Sequence, residues 1–311
     1  MKVYINNANE NWICDRFYSE WKEYNPETIS FDPFEADVVW LLASWKWDTL
    51  PLHQLKDKII VATIHHIVPD KFDNQKKTDF MNRDQFIDYY HVPCNNTYNQ
   101  IKELTRKPVF VNPFWVNQNI WKKARNKNKL RTKYGFSKND FLVGSFQRDT
   151  EGHDLKSPKL EKGPDRFVKI VQNLNDIKDN LVVIISGPRR NYVIEQLEKN
   201  GVKYIYYENS TFEKVNDLYN LLDLYIVSSR YEGGPQSIVE CALTKTPIIS
   251  TKVGLAPDIL DNSSLYDDEN NFSVAEPNVK AAYNNVQDLI IPQGFNNYLT
   301  FFKGITMRKE K

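Results

Sequence analysis

The chain has 311 residues, 41% of them apolar, with 41 Lys and Arg against 40 Asp and Glu for a net charge of +1. That length suits two domains of ordinary size, and so even a charge balance argues against a nucleic-acid or general polyanion binder. No apolar run approaches the ~20 residues that span a bilayer, and Met1-Lys2-Val3-Tyr4-Ile5 runs directly into Asn6-Asn7, so neither a transmembrane segment nor a signal-peptide core is expected.

Residues 2–5 read as a first strand and 12–24 as an amphipathic helix. Short apolar runs follow at 37–42 (DVVWLL), 58–64 (KIIVATI), 89–93 and 108–111, bounded by polar segments as buried parallel strands tend to be. A helical pattern fills 98–104. This alternation predicts a doubly wound α/β domain over residues 1–120. Residues 122–133 (KKARNKNKLRTK) are strongly basic. They read as a solvated connection and helix face, or alternatively as a patch that docks on an acidic membrane surface or an anionic acceptor.

A second α/β set occupies residues 121–290. Its strands are predicted at 141–146, 181–186, 203–207, 222–227 and 247–250, with a helix over 165–174. The tail, 291–311, contains a helical pattern at 294–305 with Phe295, Tyr298, Leu299, Phe301 and Phe302 on its apolar positions. The cysteines Cys14, Cys94 and Cys241 are scattered, without metal-ligand spacing, and imply a reduced, cytoplasmic setting.

The most informative stretch is Ser228-Ser229-Arg230-Tyr231-Glu232-Gly233-Gly234-Pro235-Gln236-Ser237-Ile238-Val239-Glu240. It reads as strand, glycine turn, helix, with Glu232 on the turn and Glu240 inside the helix. Pro235 suits a first helical turn, and Gly233 and Gly234 let backbone amides approach a ligand. A helix amino end such as Gln236-Ser237 offers N–H groups and partial positive charge to an anion. Amides for phosphate together with carboxylates for hydroxyls is chemistry that holds a nucleotide sugar. An isolated pair of glutamates at this spacing would more simply be a capped helix with solvated carboxylates.

Continued through Gly254-Leu255-Ala256-Pro257-Asp258, this stretch resembles the donor-site signature of the retaining glycosyltransferases of family 4, whose fold is GT-B: two Rossmann-like α/β domains facing across a cleft. The resemblance places the family's E-x7-E motif on Glu232 and Glu240, the first meeting the donor sugar and the second the ribose. It places a diphosphate-gripping arginine on Arg148 and lysine on Lys162, although Lys156 and Lys159 lie in the same interval and leave the choice of lysine open. It also places on His65, rather than His66, a histidine that orients the donor sugar, and it implies that the terminal helix returns to the first domain. In this reading the N-terminal domain serves the acceptor and the C-terminal domain binds the donor.

The activity implied is a retaining, metal-independent hexosyl transfer from a nucleoside-diphosphate sugar to an acceptor hydroxyl of a glycan, glycolipid or small molecule, without a further cofactor. A nucleotide-sugar epimerase of the same fold and a non-catalytic binding relic are the alternatives. No D-x-D triplet, Walker loop or G-x-G-x-x-G is present, so phosphate charge would be met by protein cations and helix amides. Gly187 and Arg189 follow the strand at 181–186, where an open sheet tends to seat a nucleotide. For Arg189 and Arg190 the plainer reading is a solvated pair. Trp40, Trp45 and Trp47 read as core packing first and as a sugar-stacking platform second. Two departures from the family stand out: the loop 6–12 has no glycine, and Trp115 stands where glycine is usual.

Overall fold

The computed structural model describes residues 1–10 and 13–309. Trp12, at the predicted start of the first helix, and Asn11, in the glycine-free loop, lie outside the described residues, as do Glu310 and Lys311. The chain divides into two compact units, 1–115 with 291–311, and 116–290.

The first unit holds a six-stranded parallel sheet of β1 (Val3–Ile5), β2 (Ile29–Ser30), β3 (Val38–Leu41), β4 (Ile59–Thr63), β5 (Tyr89–Val92) and β6 (Val109–Val111), in the order β2-β1-β3-β4-β5-β6. Strands β3 and β4 are buried at every position, which is why their sequence is a continuous apolar run rather than an alternating one. Helices α1 (Ile13–Tyr24), α2 (Asn74–Asp84) and α3 (Asn95–Ile101) connect them. The predicted helix at 98–104 therefore starts earlier, at an N-cap provided by Cys94, whose sulfur accepts from the Thr97 amide.

One face of this sheet is closed by aromatic rings. Trp21, Trp40 and Trp115 are fully buried together with Phe17, Phe114, Phe295, Tyr298 and Phe302. The last three belong to residues 295–305 of the C-terminal segment, whose helix runs Asn296–Lys309. Trp115 lies at 4.5 Å from the ring of Phe295 and donates its indole N–H to Glu20 at 2.8 Å. Trp115 is thus a core wedge between α1 and the terminal segment. A buried polar chain crosses the same core: Trp40 Nε1 donates to Thr63 Oγ1, which lies 3.0 Å from His91 Nδ1, and His91 Nε2 lies 2.9 Å from the Asn112 carbonyl and 3.0 Å from the Tyr298 hydroxyl.

The second unit holds α4 (Lys127–Lys133), β7 (Phe141–Ser145), α5 (Pro164–Ile177), β8 (Leu181–Ser186), α6 (Asn191–Lys199), β9 (Tyr204–Tyr207), α7 (Phe212–Leu221), β10 (Leu224–Val227), α8 (Gln236–Thr244), β11 (Ile248–Thr251), α9 (Ala256–Ile259), β12 (Leu265–Tyr266) and α10 (Val279–Asn285). The strands are parallel in the order β12-β11-β10-β7-β8-β9. Counted from β7 this is 3-2-1-4-5-6 read from the other edge, with the direction of winding reversing between β7 and β10. In open α/β sheets ligands tend to bind outside the carboxyl ends of the strands at such a reversal, and the loops leaving those ends of β7 and β10 carry Arg148 and Glu232.

The basic segment is largely the solvated connection and helix face expected of it, with Lys122, Lys123, Arg125, Lys129 and Lys133 exposed, but two of its cations are held by the domain. Lys127 Nζ bonds Asp223 Oδ1 at 2.9 Å, Arg131 is buried against the Leu221 carbonyl and the Asp223 carboxylate, and Lys133 pairs with Asp217 at 3.1 Å. The acids that pair with Lys127, Arg131 and Lys133 sit about ninety residues away in sequence, Asp217 within α7 and Asp223 just before β10, so charge runs alone did not reveal them. Among the described residues no helix is long and apolar enough to cross a membrane.

Candidate functional site

The site in the second unit is built by three loops that brace one another. After β7 the chain makes a closed excursion: Thr150 bridges Pro158, and the Lys159 amide donates to the Asp149 carbonyl at 2.8 Å. This returns Lys159 to the neighbourhood of Arg148. The loop is pinned from below by Arg190, which is 1% exposed and donates to Asp149 at 2.8 Å and to the Ser186 carbonyl at 3.0 Å. Of the arginine pair after β8, Arg190 is therefore not solvated: it is a buried brace between the β7 and β8 loops, while Arg189 stays partly exposed. Arg189 takes a left-handed backbone (φ 58°), its carbonyl accepts from the Asp149 and Thr150 amides, and its guanidinium reaches the Gly152 carbonyl at 3.4 Å. Gly187 makes the turn before it with φ 90°.

A short turn, Leu160–Lys162, then leads to Gly163 and α5. The loop after β10 rests on it. The Arg230 and Tyr231 amides both donate to the Glu161 carbonyl, Ser228 Oγ donates to the Gly163 carbonyl at 2.8 Å, and Arg230 forks onto Asp165 at 2.7 and 2.6 Å. A Cβ on Gly163 would stand 1.9 Å from the Ser228 carbonyl oxygen, on a backbone with φ 61°, so only glycine allows this approach. On the other side Gly254 meets the same loop.

These contacts bring the predicted residues together. Lys162 Nζ donates to Glu232 Oε1, and Ser229 Oγ lies 3.3 Å from the same oxygen. Lys159 pairs with Glu161 at 3.4 Å. Burial lowers the ammonium pKa of Lys159, and the neighbouring charges of Arg148 and then Lys162 contribute to the same fall, with Glu161 opposing them. Three cations and Glu232 thus share one end of the sheet, while Lys156 is exposed. Gly233, Gly234 and Pro235 form the turn into α8, which begins at Gln236 and Ser237, and Glu240 lies one turn further in. Glu240 is 6% exposed and accepts from the Tyr219 hydroxyl at 2.8 Å.

His65 belongs to the first unit, just past β4. Its Nε2 lies 3.0 Å from the Leu42 carbonyl and therefore carries the proton, and its ring stacks on Phe114 at 5.6 Å. Burial pulls its pKa down to about 4. It is a neutral imidazole that can offer a ligand only the Nδ1 lone pair. Cys14, 3.7 Å from that ring, is a thiol pushed up to about 12 by burial, so the two do not form an activated pair. Trp40 is core, Trp47 is half-buried with its indole N–H on Asp79, and Trp45 is 48% exposed with its N–H on Glu10.

Residues 156–299 match the family model described as glycosyl transferases group 1. The chain is similar to the structure of Anabaena HepE in complex with UDP and glucose, at 14% identity and a TM-score of 0.70 over 99% of each chain. It is similar to sucrose-phosphate synthase from Thermosynechococcus elongatus, at 14% identity and a TM-score of 0.69 over 95% of this chain and 78% of that one. A glycosyltransferase from Rickettsia africae matches at 15% identity and a TM-score of 0.65, over 96% of this chain and 83% of that one. The fold is GT-B. No curated protein matches the chain significantly by sequence.

Within this GT-B chain, the matched stretch contains Lys159, Lys162, Glu232 and Glu240, whereas Arg148 and His65 lie ahead of it. Sequence reasoning missed Tyr219 and Gly163. Tyr219 sits on α7 in an ordinary apolar periodicity, and only the fold shows its hydroxyl aimed at a carboxylate. Gly163 was visible as a glycine before Pro164, a signal of a helix start, but not as the point where two loops touch. Among the described residues no three His, Cys, Asp or Glu side chains gather in a metal-binding group.

Proposed function

We propose that the chain is a retaining, metal-independent glycosyltransferase that moves a hexosyl group from a nucleoside-diphosphate sugar to an acceptor hydroxyl. The observation that supports this reading is the convergence of Arg148, Lys159 and Lys162 with Glu232 at the β7/β10 switch point, beside the amino end of α8. The arginine offers a planar fork to phosphate oxygens and the lysines compact charge. Of the three lysines, Lys162 is the one bonded to Glu232, and so the one best placed where diphosphate meets sugar.

In the proposed reaction the bond between the anomeric carbon and the diphosphate oxygen breaks, and a bond from that carbon to the acceptor oxygen forms on the same face. The acceptor's proton passes to the departing phosphate oxygen, so no enzymic carboxylate needs to act as nucleophile. Negative charge grows on the diphosphate as the bond breaks. Fixed cations and α8 amides stabilise that charge more in the transition state than in the ground state. Glu232 would hold sugar hydroxyls and Glu240 the ribose.

The test is incubation with UDP-, ADP- and GDP-sugars and a panel of hydroxyl acceptors. Release of nucleoside diphosphate matched by a glycoside of retained configuration, in buffer containing a metal chelator, is the expected result. An isomerised donor without glycoside would instead indicate an epimerase, and thermal stabilisation by a nucleotide sugar without turnover would indicate a binding relic.

A further inference from the structure

Lys162 and Glu232 are each other's counterions across two loops, and both are largely buried, with side chains 20% and 9% exposed. The other carboxylate beside these cations, Glu161, serves Lys159. Glu232 therefore has two functions that conflict. On the proposed reading of this site it holds sugar hydroxyls, yet it also holds the cation that a diphosphate needs.

We infer that Glu232 is a specificity-determining residue that discriminates the sugar-charged nucleotide from the free nucleoside diphosphate, by competing with the diphosphate for Lys162. A diphosphate that draws Lys162 away leaves Glu232 as a nearly buried carboxylate close to further negative charge. An uncompensated buried charge is costly, and removal of one partner of such a pair is more damaging than absence of both. With the donor bound, sugar hydroxyls donate to the carboxylate and offset that cost. With only the product diphosphate bound, nothing on the ligand does so. After transfer Glu232 reclaims Lys162, which favours release of the product.

The inference rests on the proposed donor site, and the experiment separates the two. Binding of UDP, ADP and GDP is measured by calorimetry for the wild type, Glu232→Gln and Lys162→Ala, together with whichever nucleotide sugar is turned over. Glu232→Gln removes the competing charge and keeps hydrogen-bonding capacity. It is expected to tighten free nucleoside diphosphate by roughly 3- to 10-fold, while the nucleotide sugar binds equally or more weakly. Lys162→Ala is expected to weaken both. Glu232→Ala is measured in parallel in case the glutamine variant does not fold, and the same tightening of the free diphosphate is expected. If Lys162→Ala weakens the diphosphate but both Glu232 variants leave it unchanged or weaker, the competition is refuted while the donor site stands. If no nucleotide binds the wild type, the site assignment and the inference both fall.

Discussion

The Tyr219 hydroxyl donates to Glu240 Oε2 at 2.8 Å, and the two residues are 2% and 6% exposed. Burial, and then the adjacent carboxylate, hold the phenol pKa well above its ordinary value, so Tyr219 remains a donor throughout the working pH range. Thr246 Oγ1 donates in turn to the Tyr219 carbonyl at 2.9 Å. One carboxylate oxygen of Glu240 is thereby fixed by a residue on α7.

Tyr219→Phe removes this bond and keeps the ring. A hydrogen bond to a charged group contributes about 1.5–3 kcal/mol, and the loss should show as a lower denaturant midpoint. If Glu240 holds the ribose, the variant should also raise KM for the donor with kcat largely kept, and should discriminate less between ribose and deoxyribose nucleotides. A variant that loses stability alone would leave Tyr219 a purely structural residue.

Gly254 touches the Glu232 turn directly. A Cβ there would lie 2.2 Å from the Gly233 carbonyl oxygen and 3.0 Å from that of Glu232, on a backbone with φ 53°. The left-handed backbone alone costs a side chain about 1–2 kcal/mol, and the overlap must be relieved by moving the turn. Gly254→Ala should therefore lower the melting temperature and weaken nucleotide-sugar binding more than binding of the bare nucleoside diphosphate. Equal losses for the two ligands would place the damage elsewhere.

His91 and His65 give the stability a defined pH dependence. Burial pulls them down to about 3 and about 4, against an ordinary value near 6.5. Between those values and 6.5 the unfolded chain binds protons that the folded chain does not, so stability falls as pH drops through this range and is complete above it. The slope is up to about 1.4 kcal/mol per pH unit for each histidine. Urea midpoints should decline from about pH 7.5 to about pH 5, and His91→Gln should flatten part of the decline. A flat profile in the wild type would contradict the buried neutral imidazoles.

The legible parts of the sequence were those in which a local pattern and a tertiary role coincide. The run 181–186 is a strand over those same residues, and the Glu232–Glu240 stretch is a loop and helix as its glycines and proline imply. Edge strands β2 and β12 were missed because two-residue strands have no periodicity to read. Arg190, Arg131 and Lys127 read as solvated charge in sequence because their partners Asp149 and Asp223 are distant along the chain. Trp115, which departs from the pattern of the family that the chain resembles, is explained by Glu20 and Phe295, which no local window contains.

The central claim is that the loops at the β7/β10 switch point grip a diphosphate, and Arg148 is its most direct probe. Calorimetric titration of the nucleoside diphosphate that stabilises the wild type should show Arg148→Ala binding it about 10- to 100-fold more weakly, the equivalent of one charge-assisted contact. Equal affinity in the two proteins would contradict the account.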